Sequence, residues 1–145
     1  MTKRSKQTDS KCPITFALDI FGDKWSLIII RDMFFKGKRH YGEFLVSAEK
    51  ISTNILANRL SKLEAEGLIT KTRDPDHAAK NIYLLTDKGK ALLPLMLEMV
   101  VWSSQYDPQP NAPDNIIAGA PAHLLQRTRD DRAGLIDEIL SKLSG

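Results

Sequence analysis

Apolar positions recur along the chain at helical spacing, then at strand spacing, then at helical spacing again. Ile14, Ala17, Leu18 and Phe21 return every three or four residues, with Pro13 at the tolerated first position and Gly22 at the end, which predicts a first helix. From Lys24 to Phe35 a second helix runs through Trp25, Ile28, Ile29 and Met33 and is apolar nearly all round, so it should lie at the centre of the core. A short third helix follows over His40 to Leu45, with Tyr41, Phe44 and Leu45 on one side. A fourth runs from a Ser52 or Thr53 cap to Glu66 and stops at Gly67.

The spacing then changes. Leu68 to Arg73 and Asn81 to Thr86 are short runs rich in Ile, Thr, Tyr and Leu, separated by Asp74-Pro75-Asp76-His77-Ala78-Ala79-Lys80, which predicts a β-hairpin with a mobile tip. A long helix capped by Thr86 or Asp87 should continue through Leu92, Leu95, Met96, Met99 and Trp102 to Tyr106, bent at Pro94, with an apolar side broad enough to seek a partner. The composition of 107–122 is that of a linker. A last helix over 123–143 carries Leu135, Ile136, Ile139, Leu140 and Leu143 on one side and is open to a break near Gly134.

The predicted fold is mainly α with a small β-hairpin, a winged helix-turn-helix with added N- and C-terminal helices. In that architecture the fourth helix enters the major groove of double-stranded DNA. At 100° per residue Leu56, Leu60 and Leu63 form its core stripe, and Asn54, Ala57, Asn58 and Ser61 fall on the opposite side as base-facing candidates. Asn pairs bidentately with adenine, and no acidic residue interrupts this side before Glu64. Ser52 and Thr53 sit where free backbone N–H groups favour a phosphate, and Lys62, Lys71, Arg73 and Lys80 are further phosphate candidates on the helix and wing. Arg59 flanks the buried stripe and is a weaker candidate.

Composition narrows the function classes. The chain of 145 residues has the 42% hydrophobic and 27% charged content of a globular protein. Its net charge of +3 is too small to point to nucleic acid by itself, but it is unevenly spread: residues 1–40 hold nine basic against four acidic residues, and residues 91–145 four against seven. No apolar stretch is long enough for a membrane span and no secretory signal is evident, so a cytoplasmic location is expected. His40, His77 and His123 lie on separate elements without metal-ligand spacing, and no phosphate loop or nucleophile motif occurs, so no metal, cofactor or enzymatic activity is expected. Trp25, Phe34, Phe35, Met96, Met99 and Trp102 could line a ligand pocket, although their spacing is equally that of ordinary packing.

The order and identity of several short motifs resemble those of the HxlR-type transcription regulators, small winged-helix dimers related in architecture to the MarR group. The likeness covers about residues 12–102. It rests on Cys12-Pro13, Gly22-Asp23-Lys24-Trp25, Arg31-Asp32, Tyr41-Gly42-Glu43-Phe44, Ile51-Ser52, Arg59-Leu60, Leu63-Glu64, Gly67-Leu68-Ile69, Leu85-Thr86 and Lys88-Gly89. The wing tip departs from the family's Pro-rich pattern and the tail beyond Trp102 is longer. The resemblance implies a homodimer joined by its first and long C-terminal helices, acting on a palindromic operator, with any effector unspecified. Composition and periodicity divide the chain into a flexible basic arm over 1–11, a winged helix-turn-helix DNA-binding domain with dimer helices over 12–106, a linker over 107–122 and a C-terminal helix over 123–145, which is expected to pack at the dimer seam. Cys12 matches a cysteine that senses oxidants or electrophiles in some members, and its place at a helix start favours the thiolate. The rivals are thus a thiol-based sensing regulator using Cys12 and a winged-helix protein-interaction module without specific DNA binding.

Overall fold

The computed structural model describes residues 11–108 and 117–143. The expected basic arm, apart from Lys11, and residues 109–116 of the expected linker lie outside the described residues. Among the described residues ten elements follow one another: α1 (Pro13–Phe21), α2 (Lys24–Lys36), α3 (Tyr41–Leu45), α4 (Thr53–Ala65), β1 (Ile69–Arg73), β2 (Asn81–Leu85), α5 (Asp87–Lys90), α6 (Leu93–Tyr106), α7 (Leu124–Asp130) and α8 (Arg132–Leu143).

Central α2 is sunk into the core through Ile29, Ile30, Met33, Phe34 and Phe35, all 6% exposed or less. Asp23 caps its start, accepting from the backbone N–H of Ser26 at 2.9 Å, and left-handed Gly37 ends it. The buried apolar residues of α2 share one core with Phe44 of α3, the leucine stripe of α4, and Leu93, Leu97 and Val100 of α6. β1 and β2 form one antiparallel pair in the register Ile69↔Leu85, Lys71↔Tyr83, Arg73↔Asn81.

Three details depart from the periodicity. The pattern from 87 to 106 reads as one bent helix, but it is two: α5 ends at Lys90, and α6 begins at Leu93 with Pro94 in its first turn. Proline removes a donor and clashes with the carbonyl four residues back, so a new helix start, where that donor is not needed, replaces the bend. The C-terminal helix also breaks, at Asp131 rather than near Gly134. Asp131 leaves helical geometry and accepts from the Gly134 N–H at 3.2 Å, starting α8. Finally, the repeat on α1 does not serve the protomer's own core: Ile14 and Leu18 are 70% and 57% exposed, and Ile20 alone of the helix is buried.

The wing is tied to the end of α4 by a tight knot. Thr86 donates its backbone N–H to Leu68 O at 3.0 Å and its hydroxyl to Gly67 O at 2.6 Å, and its oxygen accepts from the Gly89 N–H at 3.1 Å. Gly67, at φ 78°, allows the reversal. A Cβ on Gly89 would stand 2.2 Å from Leu68 O, which is backbone that cannot swing aside. Gly89→Ala is therefore expected to cost about 1–3 kcal/mol of stability, read by urea denaturation. A variant as stable as the parent would show that the knot yields.

Candidate nucleic-acid interface

Helix α4 is fixed on three sides before any ligand arrives. Leu56, Leu60 and Leu63 are 2% exposed or less, so the helix cannot roll on the core. At its start the Ser52 hydroxyl oxygen accepts from the Ile55 N–H at 3.2 Å, and the Tyr41 hydroxyl donates to Thr53 O at 3.1 Å. Midway, Arg59 Nε donates to Asp23 Oδ1 at 2.8 Å, joining α4 to the cap of α2. Burial alone works against the Asp23 charge, but hydrogen bonds from Ser26 and Arg59 prevail and hold its pKa down to about 2.

Away from that anchored side, Asn54, Ala57, Asn58 and Ser61 are all exposed. Asn54 makes no side-chain hydrogen bond among the described residues. Asn58 differs, because its Oδ1 already accepts from Arg59 Nη1 at 2.6 Å, leaving the amide N–H groups for an outside partner. Of the phosphate candidates, Ser52 uses its oxygen in the cap and keeps its O–H as a donor. Thr53 is exposed beside it. Lys62 is half-buried with Nζ 3.9 Å from Asp23 Oδ2, so its charge is shared with the cap of α2.

Lys71, Arg73 and Lys80 are exposed and have no ion-pair partner among the described residues. The register places Lys71 and Arg73 on the face that carries Ile69 and Tyr83, since residues two apart share a side. Tyr83 packs edge-on against Phe44 of α3, with ring centroids 6.3 Å apart, so the two cations continue outward the face that the core anchors. Lys80 closes the tip, its carbonyl accepting from the Asp74 N–H at 2.9 Å and its N–H donating to His77 O at 2.8 Å.

Sequence reasoning passed over the residue that connects wing and helices. His40 caps α3, with Nδ1 3.0 Å from Glu43 Oε1 and Nε2 2.6 Å from Asp74 Oδ2. Asp74 is buried at the root of the tip and its other oxygen accepts from the Asp76 N–H at 2.9 Å. The one available signal was Glu43 three residues after position 40, the spacing of a capping box. Asp74 first and Glu43 second raise the His40 pKa, and His40 in turn lowers that of Asp74. The imidazolium contact is therefore complete below the ordinary histidine pKa near 6.5 and is lost as pH rises through the higher folded value. Between pH 5.5 and 8.5 hydrogen exchange at the Asp76 and Lys80 amides is expected to accelerate in the parent more than hydroxide alone dictates, and His40→Gln should remove the excess. An identical pH profile in both proteins would show that this contact does not hold the tip.

A second network also escaped the sequence. Arg31 donates to Asp32 at 2.7 Å and to Glu49 at 2.6 Å, and Lys38 reaches buried Asp32 at 2.9 Å, fastening the loop before α4 to α2. Cys12 is exposed at the cap of α1, where the backbone N–H of Thr15, then that of Ile14, lowers the thiol pKa. Among the described residues no helix is long and apolar enough to cross a membrane, and no group of three His, Cys, Asp or Glu side chains could hold a metal ion.

The profile of the HxlR-like helix-turn-helix family matches residues 20–111. The HTH-type transcriptional regulator sll1512 of Synechocystis sp. is 30% identical over 113 residues, which are 78% of this chain and 83% of that protein. Among solved structures, PA1607, a candidate transcription factor, superposes with a TM-score of 0.64 at 36% identity, covering 72% of this chain and 71% of the other. The oxidised form of the redox regulator HypR does so with a TM-score of 0.56 at 29% identity, covering 70% of this chain and all of the other.

Proposed function

This chain belongs to the HxlR-like helix-turn-helix family of DNA-binding transcriptional regulators, and from that premise we propose that it works as a homodimer on a palindromic operator, reading bases with Asn54, Ala57, Asn58 and Ser61. The observation that carries the reading is the two-sidedness of α4, with one side sunk in the core and the other polar, exposed and free of acids through its first two turns. Ser52, Thr53, Lys71, Arg73 and Lys80 hold phosphates on either side, with Lys62 contributing from a charge it shares with Asp23. These contacts supply affinity and register rather than sequence choice.

Dimerisation is supported by apolar side chains that the protomer leaves outside. Ile14, Phe16 and Leu18 on α1 are all more than half exposed. On α6, Leu95, Met99, Trp102 and Tyr106 stand in a helical stripe at 41–66% exposure, the last two rings 5.2 Å apart. A stripe of this size on two helices is what an isologous interface buries. With two α4 helices related by a twofold axis, half-sites would lie about 34 Å apart, one turn of DNA.

Fluorescence anisotropy with duplexes from the gene's own upstream region, against random duplex over a series of salt concentrations, tests the reading. Selective binding that weakens with salt supports it, and equal weak binding to every duplex favours the interaction-module rival. The thiol-sensing reading is favoured by one observation, the exposed Cys12 whose thiolate the start of α1 stabilises. Oxidant treatment that leaves operator affinity unchanged in both the parent and Cys12→Ser would remove it.

A further inference from the structure

Between α2, α6 and the C-terminal segment lies a pocket of about 420 Å³. Protein interiors packed to ordinary density leave few voids larger than a water molecule, and this volume falls instead in the range of small-molecule sites. Its walls are apolar: Leu27 and Phe35 from α2, Met96 and Val100 from α6, and Ile117 and Leu125 from the tail. The last two stand outside the stretch that matches the family.

Its polar groups differ in availability. The Arg31 guanidinium is committed to Asp32 and Glu49. Lys24 is exposed, makes no ion pair among the described residues, and holds its ammonium 4.8 Å from the Trp25 ring centroid. Ser103, Ser104 and Asp107 complete the polar rim, the acid setting a limit on how much negative charge the site accepts.

We propose that this pocket binds a small organic anion with a largely apolar, aromatic body, its single charged head at Lys24. Of the residues expected from sequence to line such a site, Phe35, Met96 and Met99 do so, and Trp25, Phe34 and Trp102 do not. Met99 belongs both to the lining and to the exposed α6 stripe, so the occupant would lie beside the proposed dimer face.

The test titrates the full-length protein with 1-anilinonaphthalene-8-sulfonate, an aromatic body with one sulfonate, and reads fluorescence, independently of any DNA measurement. One probe per chain is expected. Val100→Phe and Leu125→Trp, which fill the cavity from two walls, should each abolish the signal, and Val46→Ser, on an exposed apolar residue outside the pocket, should leave it intact. Should one filled variant fail to fold, the other decides. Lys24→Met should weaken binding roughly tenfold, the loss of about 1.4 kcal/mol. Undiminished probe binding in both filled variants, or none to the parent because a partner subunit's side chains fill the space, would overturn the site. Undiminished binding by Lys24→Met would overturn the anionic head. Operator affinity, measured separately on the same proteins, keeps a failure of the pocket distinct from a failure of the DNA reading.

Discussion

Alanine at position 54 is expected to cost about 1–3 kcal/mol of operator affinity and to flatten the preference for operator over random duplex, whereas alanine at Arg73 should weaken both duplexes alike. The contrast follows from what each side chain can offer. The Asn54 amide presents a donor and an acceptor side by side, is exposed on the first turn of α4, and makes no hydrogen bond among the described residues. Arg73 is exposed on the wing without an ion-pair partner there, and a guanidinium on a phosphate carries no base information. The slope of log affinity against log salt should fall by about one for Arg73→Ala and hold for Asn54→Ala.

Asn58 should respond less than Asn54. Its carbonyl is already taken by Arg59, so bidentate pairing requires that hydrogen bond to open or to be shared. Equal losses on every duplex for both the Asn and the Arg variants would sink the division into base-reading helix and phosphate-holding wing. Rigidity of the presenting side matters as much as its chemistry, because a base contact is discriminating only when the helix cannot shift to a second register. Here the leucine stripe, the Ser52 cap and the Arg59–Asp23 pair each remove one such freedom.

How far these features could be read in advance depends on the range of the interactions that make them. Helix α4 was legible because its cap, its stripe and its stop are local, each set within a turn by Ser52, the leucines and Gly67. The hairpin was legible for the same reason. The partners of Arg31 and His40 were not, since Glu49 is 18 residues away and Asp74 34, and no period links them. Nor does a periodic pattern reveal which of two apolar sides a helix turns to its own core. On α6, Leu93, Met96, Leu97 and Val100 go in while Leu95, Met99 and Trp102 stay out, and only the packed structure separates them. The break at Ala91-Leu92 was signalled by Pro94, and that of the last helix by Gly134, three residues beyond its place at Asp131, but a bend and a restart leave the same trace in sequence.

The C-terminal helices bear the second large expectation. Read from sequence, the last helix packs at the dimer seam, a placement that by itself says nothing of how firmly it joins its own protomer. In the structure Leu124, Leu135 and Ile139 are 2% exposed or less and join the same core as α2 and α6. Leu135→Ala is therefore expected to cost about 2–5 kcal/mol, the loss of a fully buried leucine together with the cavity it leaves. Arg132→Ala, which removes an exposed ion pair with Glu98 of α6, should cost at most about 1 kcal/mol, because solvent already screens that pair. Urea denaturation at two protein concentrations separates this loss from any change in dimerisation, which alone would make the midpoint depend on concentration. A single transition moved to lower urea for Leu135→Ala makes α7 and α8 part of the one cooperative unit. An unmoved main transition preceded by a small early one would make them a separate lobe, and the burial of Leu135 would then contribute nothing to the stability of the DNA-reading helices.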